Sequence, residues 1–416
     1  MRLAIYIRSV RSARGAEQVS ANVARGLADL GYQVDFLVED DQGWVLDNLR
    51  QHANISVIDL RDAASNRFMH RWYQLRVLLC SMLMRGPAAT AADRSWPRLL
   101  LRLLSKNDPP VFSLCRYLAA QRPTSILSYL NDTNLNLMLA ALVCGGDTRY
   151  LPSVRNHIST ATQKTQSKWM RSVPILMRRY FPLADLVVAP SEGVGEDVIA
   201  ITGLPRSRIA VVHNPVFRPE IIELSRQSVD HPWFRDSAVP VLVAAGKFKP
   251  QKDFATLLKA FAELRGKRPL RLLILGEGAE RVALEQLVQS LDVAADVDMP
   301  GYVENPYAYF KQAAVFVLSS AWEGLPNVLI EAMACGCPVV ATDCPSGPGE
   351  ILDQGRIGQL VPVGDVAAMA RAIDQTLDAP MPRELFVERA RHYSYDGVIA
   401  DYARVLTGAP DGARAD

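Results

Sequence analysis

Two glutamates in the second half of the chain have a spacing that could bring both side chains to one ligand. Glu323 and Glu331 are separated by seven residues. The residues between them include Gly324, Leu325, Pro326 and Asn327. We predict that Pro326 is the first residue of a helix, which leaves Glu323 on the loop before it and Glu331 about a turn and a half inside. The backbone N–H groups at such a helix N-terminus suit an anionic or hydroxyl-rich ligand.

Two lysines form a second candidate site, on the loop that follows the apolar segment VLVAA. Lys247 and Lys252 both lie in the sequence GKFKPQKDF. Two fixed cations can neutralise a diphosphate whose negative charge grows as its bond to a sugar breaks. A solvated, lysine-rich loop is the alternative interpretation of this segment taken alone. The presence of the two glutamates favours the phosphate site.

The apolar pattern supplies the elements that would position these side chains. The first 40 residues contain a strand-like segment LAIYI, a helical periodicity from Ala16 to Leu30, and a second strand-like segment QVDFLV. The same alternation returns after residue 239, in VPVLVAAG, LRLLILG, AAVFVLSS and CPVVATD. This pattern predicts an α/β protein with two doubly wound, Rossmann-like domains, each a parallel sheet covered by helices on both faces.

We place the domain boundaries from breaks in this pattern. An N-terminal domain spans residues 1–215, a C-terminal domain spans residues 216–385, and a helix within residues 386–416 returns to the N-terminal domain before a frayed tail. The proline-containing segment 213–240 is expected to be the hinge. Ligands of such sheets bind beyond the carboxyl ends of the strands, so we expect the two domains to face each other across one cleft.

Composition narrows the class of protein. A chain of 416 residues with 49% hydrophobic and 22% charged residues is typical of a folded two-domain protein. The net charge of +2 does not favour a nucleic-acid partner. The start MRLAIYI lacks the features of a secretion signal, and the longest apolar run, Leu135 to Gly146, is too short to span a bilayer. We therefore expect a cytoplasmic protein.

One region is strongly basic. Residues 61–122 contain eleven Arg and Lys residues against Asp62, Asp93 and Asp108, interleaved with Trp72, Tyr73 and Trp96. This composition fits either a helical insertion that binds an anionic membrane or a solvated helical face. A second cluster favours the membrane: Lys164, Lys168, Trp169, Arg171, Arg178 and Arg179.

Two short motifs suggest metal or redox chemistry but are better explained as structural. Cys335 and Cys337 flank a glycine, and we expect reduced, buried thiols. Asp296-Val297-Asp298 resembles a metal-binding pair of aspartates, but no nearby residue completes a site, so we expect a surface turn and no metal.

Together these motifs resemble those of glycosyltransferase family 4, over nearly the whole chain and most specifically from Val241 to Leu352. The E-x7-E motif of the family matches Glu323 to Glu331, its lysine loop matches Pro250 to Asp253, and its glycine turn matches Gly15. The resemblance implies a GT-B fold and a retaining transfer of a hexose or N-acetylhexosamine from a nucleotide-sugar, with UDP as the expected nucleotide. The acceptor would be a lipid-linked or polysaccharide precursor, and neither a metal nor another cofactor would be needed.

The resemblance also implies roles for individual residues. The first glutamate, Glu323, would contact the transferred sugar and the second, Glu331, the nucleotide ribose, while Lys247 and Lys252 would hold the diphosphate. Donor binding would also involve Gly15, Gly324, Leu325 and Asn327. The acceptor side would be lined by Arg155, Asn156 and His157, although a lone histidine such as His157 often has a structural role instead.

The sequence departs from the family pattern at two positions. Lys247 stands where the family usually has arginine. Lysine keeps the positive charge but lacks the guanidinium group, which can donate two parallel hydrogen bonds to one phosphate. Arg14 replaces the first glycine of the glycine turn, so only Gly15 can approach a phosphate closely.

Three other functions share this fold and remain alternatives. A non-catalytic binding subunit would be expected to lack one glutamate or both lysines, and none of them is missing. A nucleotide-sugar epimerase would need further acid-base groups around the anomeric carbon, and a phosphorylase would need a cofactor-binding lysine. Neither pattern stands out beside the E-x7-E motif.

Overall fold

The computed structural model describes residues 1–11, 15–61, 108–235 and 239–409. The chain forms two compact units. Unit 1 comprises Met1–Pro215 together with the C-terminal segment from Asp396, and unit 2 comprises Val216–Tyr395. Most of the basic segment 61–122 lies outside the described residues, since residues 62–107 are not among them.

Unit 1 is built on a parallel sheet of seven strands, counted over the described residues. The strands are β1 Arg2–Ile7, β2 Gln33–Val38, β3 Ile55–Asp59, β4 Ser125–Tyr129, β5 Arg149–Ser153, β6 Val187–Ala189 and β7 Ile209–Val211. Their order in the sheet is β3-β2-β1-β4-β5-β6-β7. Strand β1 therefore pairs with both β2 and β4, with Leu3 opposite Val34 on one side and Ser125 on the other.

Helices connect these strands. They are α1 Ala16–Asp29, α2 Trp44–Arg50, α3 Asp108–Gln121, α4 Asn131–Cys144, α5 Ile158–Lys164, α6 Lys168–Tyr180 and α7 Glu192–Thr202. Across the described ranges of the chain, none of the helices is long and apolar enough to cross a membrane.

Unit 2 repeats the architecture with six parallel strands. They are β8 Val241–Ala245, β9 Arg271–Leu275, β10 Val297–Gly301, β11 Val315–Leu318, β12 Val339–Thr342 and β13 Gln359–Val361. The strand order is β10-β9-β8-β11-β12-β13. Along β8, Val241, Val243 and Ala245 pack into one apolar cluster, and Leu242 and Ala244 pack into another. Both faces of the sheet are thus covered, as the continuous apolar runs in the sequence predict.

The helices of unit 2 follow the same alternation. They are α8 Pro219–Ser225, α9 Phe254–Arg265, α10 Arg281–Ser290, α11 Pro306–Gln312, α12 Asn327–Ala334, α13 Pro348–Ile351, α14 Val366–Asp378 and α15 Arg383–Ala390. A last helix, α16 Tyr395–Thr407, begins at the boundary of the two units.

The segment 213–240, expected to be the hinge, contains a helix, and its residues from Val216 onward belong to unit 2. Helix α8 lies within it, and the backbone N–H groups of Val216 and Phe217 both donate to the carbonyl of Tyr393. At the other end, the chain rejoins unit 1 at Asp396, whereas the sequence prediction starts the returning segment at residue 386. Residues 386–395 stay in unit 2, where Phe386, Ala390 and Tyr393 are core residues.

Helix α16 is held in unit 1 by close packing on α1 and by hydrogen bonds from Arg149. The guanidinium of Arg149 donates to the carbonyl of Val405 at 2.9 Å. A Cβ atom on Gly26 of α1 would lie only 2.6–2.8 Å from three side-chain atoms of Ile399. Glycine at residue 26 is therefore what allows the two helices to approach each other.

We predict that Gly26→Val destabilises the protein by about 1–3 kcal/mol, because the added methyl groups overpack the contact with Ile399. Adding Ile399→Ala to this variant should restore part of the loss, which a double-mutant cycle measures by thermal or urea unfolding. Gly266→Ala is the control, since a Cβ atom there meets nothing closer than 3.7 Å. Additive effects of the two substitutions would contradict this packing.

Candidate active site

The lysine loop and the first glutamate meet at the centre of the sheet of unit 2. Strands β8 and β11 are neighbours, and from β8 the chain fills the sheet first toward β10 and then, from β11, toward β13. The loops after β8 and β11 therefore leave the carboxyl edge side by side at the point where the strand order reverses. Such a switch point is where open α/β sheets bind ligands.

Lys252 and Glu323 form an ion pair at this point. The ammonium Nζ of Lys252 lies 2.6 Å from Oε1 of Glu323, and the two side chains are only 13% and 10% exposed. The same Oε1 accepts a hydrogen bond from the hydroxyl of Ser320 at 2.7 Å, and Oε2 accepts one from the amide of Gln251 at 3.2 Å. The carboxylate is thus surrounded by donors, which offsets the cost of burying its charge.

Further hydrogen bonds hold the two loops together. The N–H of Ala321 donates to the carbonyl of Gln251 at 2.8 Å, and the hydroxyl of Ser319 donates to the carbonyl of Lys252 at 2.7 Å. The side-chain amide of Gln251 also donates to the carbonyl of Trp322 at 2.7 Å. Both charged side chains are therefore fixed by backbone contacts on either side of them.

The loop carries a third lysine that the sequence analysis did not single out. Lys247 is exposed, whereas Lys249 is half-buried between the buried Phe248 and the short helix Pro250–Lys252. Burial lowers the pKa of Lys249, and the neighbouring charges of Lys252 and Lys247 lower it further. The sequence signal that could have identified Lys249 is the spacing of the lysines, which occur at every second or third position of this loop. The loop thus concentrates positive charge beside one carboxylate.

Helix α12 starts one residue later than predicted. Pro326 is the residue before the helix rather than its first residue, with φ −74° and ψ 96°, and the helix begins at Asn327. Glu331 consequently lies about one turn inside the helix. Leu325 is buried in the core, so it can reach a ligand only through its backbone, while Asn327 is half-buried at the helix start.

Glu331 lies in a partly desolvated environment near two cations. Burial raises the pKa of its carboxyl to about 7, while Arg218 and Lys252 act in the opposite direction. The charge of Glu331 is in turn the main cause that raises the pKa of Tyr307. The carboxyl of Glu331 therefore changes its charge near neutral pH. A bound ligand that donates a hydroxyl hydrogen bond to it would shift this ionisation.

A third loop, after β12, supports the segment 323–326. The N–H of Glu323 donates to the carbonyl of Pro345 at 2.8 Å. Gly347 has φ +105°, and a Cβ atom there would lie 2.8 Å from Cδ of Pro326 and 2.9 Å from the carbonyl of Gly324. Only glycine permits this approach, so the loop fixes the backbone on which Glu323 and Gly324 stand.

The remaining predicted site residues belong to unit 1, and their local structure differs. Gly15 precedes helix α1 with φ +54°, a conformation that favours glycine, and Arg14 before it lies outside the described residues. The ring of His157 accepts a hydrogen bond from the N–H of Thr160 and thereby caps helix α5. Asn156 accepts one from the N–H of His157 at 3.0 Å. His157 thus has the structural role that the sequence left open as an alternative.

Arg155 is held by groups within unit 1. Its guanidinium donates to the hydroxyls of Ser153 and Tyr402 at 3.2 Å each and also bonds the side chain of Asn214. It stacks over the ring of Tyr129 with 5.3 Å to the centroid. Because Tyr402 belongs to α16, Arg155 links the end of β5 to the returning helix. A contact with an acceptor remains a prediction for this residue.

The two motifs set aside in the sequence are structural. Cys335 and Cys337 are free and buried, and burial raises the pKa of each thiol to about 12. Asp298 lies within strand β10 rather than in a surface turn and contacts His231 at 3.0 Å, and Asp296 accepts from Arg265 at 2.6 Å. The strand register with β9 explains the difference, since Asp298 pairs with Leu273. In the ranges that the structure describes, no group of His, Cys, Asp and Glu could hold a metal ion.

Two family models match the chain. Residues 226–393 match the model of glycosyl transferases group 1, and residues 13–217 match the model of Glycosyltransferase Family 4. The two matches cover most of unit 2 and unit 1, respectively.

Known proteins resemble the chain in sequence and fold. It is 28% identical over 265 residues to the N-acetylgalactosamine-N,N'-diacetylbacillosaminyl-diphospho-undecaprenol 4-alpha-N-acetylgalactosaminyltransferase of Campylobacter jejuni, covering 63% of this chain and 69% of that protein. It is 31% identical over 236 residues to the lipopolysaccharide core biosynthesis glycosyltransferase LpsE of Rhizobium meliloti, covering 56% and 66%. The matched regions thus span about two-thirds of these relatives. The UDP complex of Anabaena HepE superposes with a TM-score of 0.70 at 17% identity, covering 98% of this chain and 100% of that one, which confirms the GT-B fold.

We predict that the stability of the wild-type protein falls relative to Glu331→Gln as pH rises. The pKa of Glu331 is raised in the folded state, so the folded protein holds the carboxyl proton more tightly than the unfolded chain does. The stability that this proton binding contributes is complete below about pH 4.5 and is lost as pH rises through about 7. Glutamine stays neutral, so the variant should gain up to about 3 kcal/mol over the wild type between pH 5 and pH 8. Unfolding of both proteins at these two pH values measures the difference.

Glu384→Gln is the control, because Glu384 is exposed on helix α15. Its stability difference from the wild type should not change with pH. A difference for Glu331→Gln that is equally independent of pH, or that changes in the opposite direction, would contradict the desolvation of this carboxyl.

Proposed function

The chain belongs to glycosyltransferase family 4, and we propose that it is a retaining enzyme that transfers a hexose or N-acetylhexosamine from a UDP-sugar to a lipid-linked or polysaccharide precursor. The observation that carries this proposal is the Lys252–Glu323 pair at the switch point of unit 2. Names of relatives support the acceptor class, since the Campylobacter enzyme acts on a diphospho-undecaprenol-linked sugar and LpsE on the lipopolysaccharide core.

In the proposed reaction, the bond between the anomeric carbon and the diphosphate breaks and a bond to the acceptor oxygen forms on the same face. The nucleoside diphosphate leaves with the bonding electron pair, and the acceptor hydroxyl gives its proton to an oxygen of this departing diphosphate on the same face. The ammonium groups of Lys252 and Lys247 stabilise the charge that grows on the diphosphate. Because these lysines supply positive charge, we propose that the reaction needs no metal and no organic cofactor.

The glutamates and the loop backbone have separate roles in this proposal. Glu323 holds the ammonium of Lys252 and directs its remaining lone pairs to hydroxyls of the transferred sugar. Glu331 accepts from the ribose. The backbone at the start of helix α12 also contacts the donor phosphates, through Gly324, Leu325 and Asn327. The donor contact of Gly15 in unit 1 stays a separate prediction. Arg155, Asn156 and His157 line the acceptor side, and the contacts of Arg155 and His157 within unit 1 keep this loop in place.

The proposal is tested by incubating the protein with radiolabelled UDP- and GDP-sugars and lipid extracts that contain saccharide-linked acceptors. Incorporation of label from one UDP-sugar, with the α-anomeric configuration of the donor retained in the product, supports it. Failure of the folded protein to consume or transfer any sugar of the panel would support the non-catalytic alternative instead.

We predict that Lys252→Ala lowers the transfer rate about 10²- to 10³-fold, because a preorganised stabiliser of developing charge is removed. Lys252→Arg should retain part of the rate, since it keeps the charge but changes reach and shape. Lys247→Arg should be tolerated. The measurement is kcat at saturating donor, with Lys259→Ala on helix α9 as the control. A near wild-type rate for Lys252→Ala would place the diphosphate elsewhere.

A lipid-linked acceptor would require the protein to work at the inner face of the cell membrane, and unit 1 offers a basic surface for this. Lys164, Lys168 and Arg171 are exposed on and beside helix α6, whose other face packs into the core through Val173, Leu176 and Met177. Exposed cations on an amphipathic helix suit an anionic lipid surface. We propose peripheral association of α6 with such a surface.

We predict that the protein co-sediments with vesicles that contain anionic phosphatidylglycerol and that salt releases it, because screened charges attract less strongly. The triple variant Lys164→Glu, Lys168→Glu and Arg171→Glu should lose most of this binding. The matched control changes three exposed cations of unit 2 to glutamate: Lys259, Lys267 and Arg356. Equal binding of the wild type to neutral and anionic vesicles at low salt would refute the membrane contact.

A further inference from the structure

The sheet of unit 1 has its own switch point, and charged side chains gather there too. Strands β1 and β4 are neighbours at the position where the strand order of this sheet reverses. Arg8 follows β1, Glu39 follows β2, and Asp132 lies in the first turn of helix α4 directly after β4. We call Arg8, Glu39 and Asp132 the unit 1 triad. None of them was singled out by the sequence, and the proposed donor site does not use them.

One oxygen of Glu39 is engaged by buried protein groups. Oε1 accepts a hydrogen bond from the fully buried hydroxyl of Tyr6 at 2.5 Å and another from the amide Nδ2 of Asn136 at 3.3 Å. The other oxygen, Oε2, lies 3.7 Å from Nε of Arg8, which is beyond a normal hydrogen bond. Counting donors from the described residues alone, Oε2 therefore keeps acceptor capacity next to a half-exposed guanidinium.

Asp132 positions the arginine rather than offering a free carboxylate. Its Oδ2 accepts from Arg8 at 3.2 Å, and its Oδ1 accepts from the indole Nε1 of Trp169 at 2.7 Å. The Arg8 side chain is 50% exposed and has five N–H donors, of which these contacts use only part. The triad thus presents one acceptor and several donors at its open side.

An unsatisfied group lies in the same network. The carboxamide oxygen Oδ1 of Asn136 is buried and has no hydrogen-bond partner within the described parts of the chain, although the Nδ2 of the same amide contacts both Tyr6 and Glu39. Native proteins leave few buried polar atoms unpaired, so an unpaired one calls for an explanation such as a functional role, strain or an ordered water. The network around Glu39 therefore has more acceptor capacity than its own protein donors fill.

We propose that the unit 1 triad is a subsite for a sugar ring of the acceptor, in which Glu39 accepts from one hydroxyl and Arg8 donates to its neighbour. This inference rests on the proposed function as a glycosyltransferase. A carboxylate beside a guanidinium matches vicinal hydroxyls, since each hydroxyl both donates and accepts. A phosphate fits poorly, because the triad has two carboxylates and one cation. Asp132 is a positioning residue that fixes Arg8.

The test measures binding of neutral sugars to the full chain, without turnover. Methyl glycosides of hexoses and N-acetylhexosamines are titrated by ligand-observed NMR into the wild type, Glu39→Gln and Arg8→Gln, and inorganic pyrophosphate is titrated in parallel. Asp40→Asn is the matched control, since Asp40 is the next residue and pairs with Arg11 instead. An unchanged thermal unfolding midpoint and an unchanged circular dichroism spectrum show in each case that the variant is folded.

We expect at least one glycoside to bind the wild type and Asp40→Asn equally and to bind both triad variants about tenfold more weakly, because a charge-assisted hydrogen bond is lost. Equal affinity for all four proteins, binding of pyrophosphate but of no glycoside at the triad, or no glycoside binding at all would each overturn the subsite. Consumption of a UDP-sugar by the wild type is scored separately. Its absence would refute the proposed function, whereas failure of the glycoside test alone refutes only the subsite.

Discussion

The ion pair between Lys252 and Glu323 is the interaction on which the rest of the site depends. Two mostly buried charges are stable only when further hydrogen bonds compensate their loss of water. Gln251 and Ser320 provide these bonds, and they belong to the same two loops as the charges. The pair therefore fixes the loop after β8 to the loop after β11, and Gly347 supports the second loop from the other side. A cation held in this way needs little rearrangement when a diphosphate arrives.

The two units share a strand order but differ in the charge at their switch points. In unit 2, one loop carries three lysines, of which Lys252 pairs with Glu323, and this excess of positive charge suits an anionic ligand. In unit 1, two carboxylates hold one arginine, which suits hydroxyl groups. The same sheet architecture thus carries side chains of opposite net charge at the switch points of the two units. This division agrees with the proposed reaction, in which a charged donor meets a neutral hydroxyl and each binds the unit whose side chains can recognise it.

The sequence predicted the elements better than the contacts between them. Strand β2 has the predicted bounds and helix α1 begins at the predicted Ala16, because apolar runs and helical periodicity are local signals. The family motifs identified Lys252 and Glu323 separately, but their pairing depends on the strand order, since the two residues are 71 positions apart in the chain. The contact of Arg155 with Tyr402, 247 positions away, likewise has no local signal in the sequence. The triad of unit 1 was missed for the same reason.

The central claim, that Lys252 is the main contact of the donor diphosphate, is tested most directly by comparing the affinities of UDP and uridine. Isothermal titration of both ligands into the wild type and Lys252→Ala separates the diphosphate contribution from that of the nucleoside. The account predicts that the variant binds UDP at least about tenfold more weakly and binds uridine as the wild type does. Equal weakening of both ligands, or unchanged binding of UDP, would contradict it.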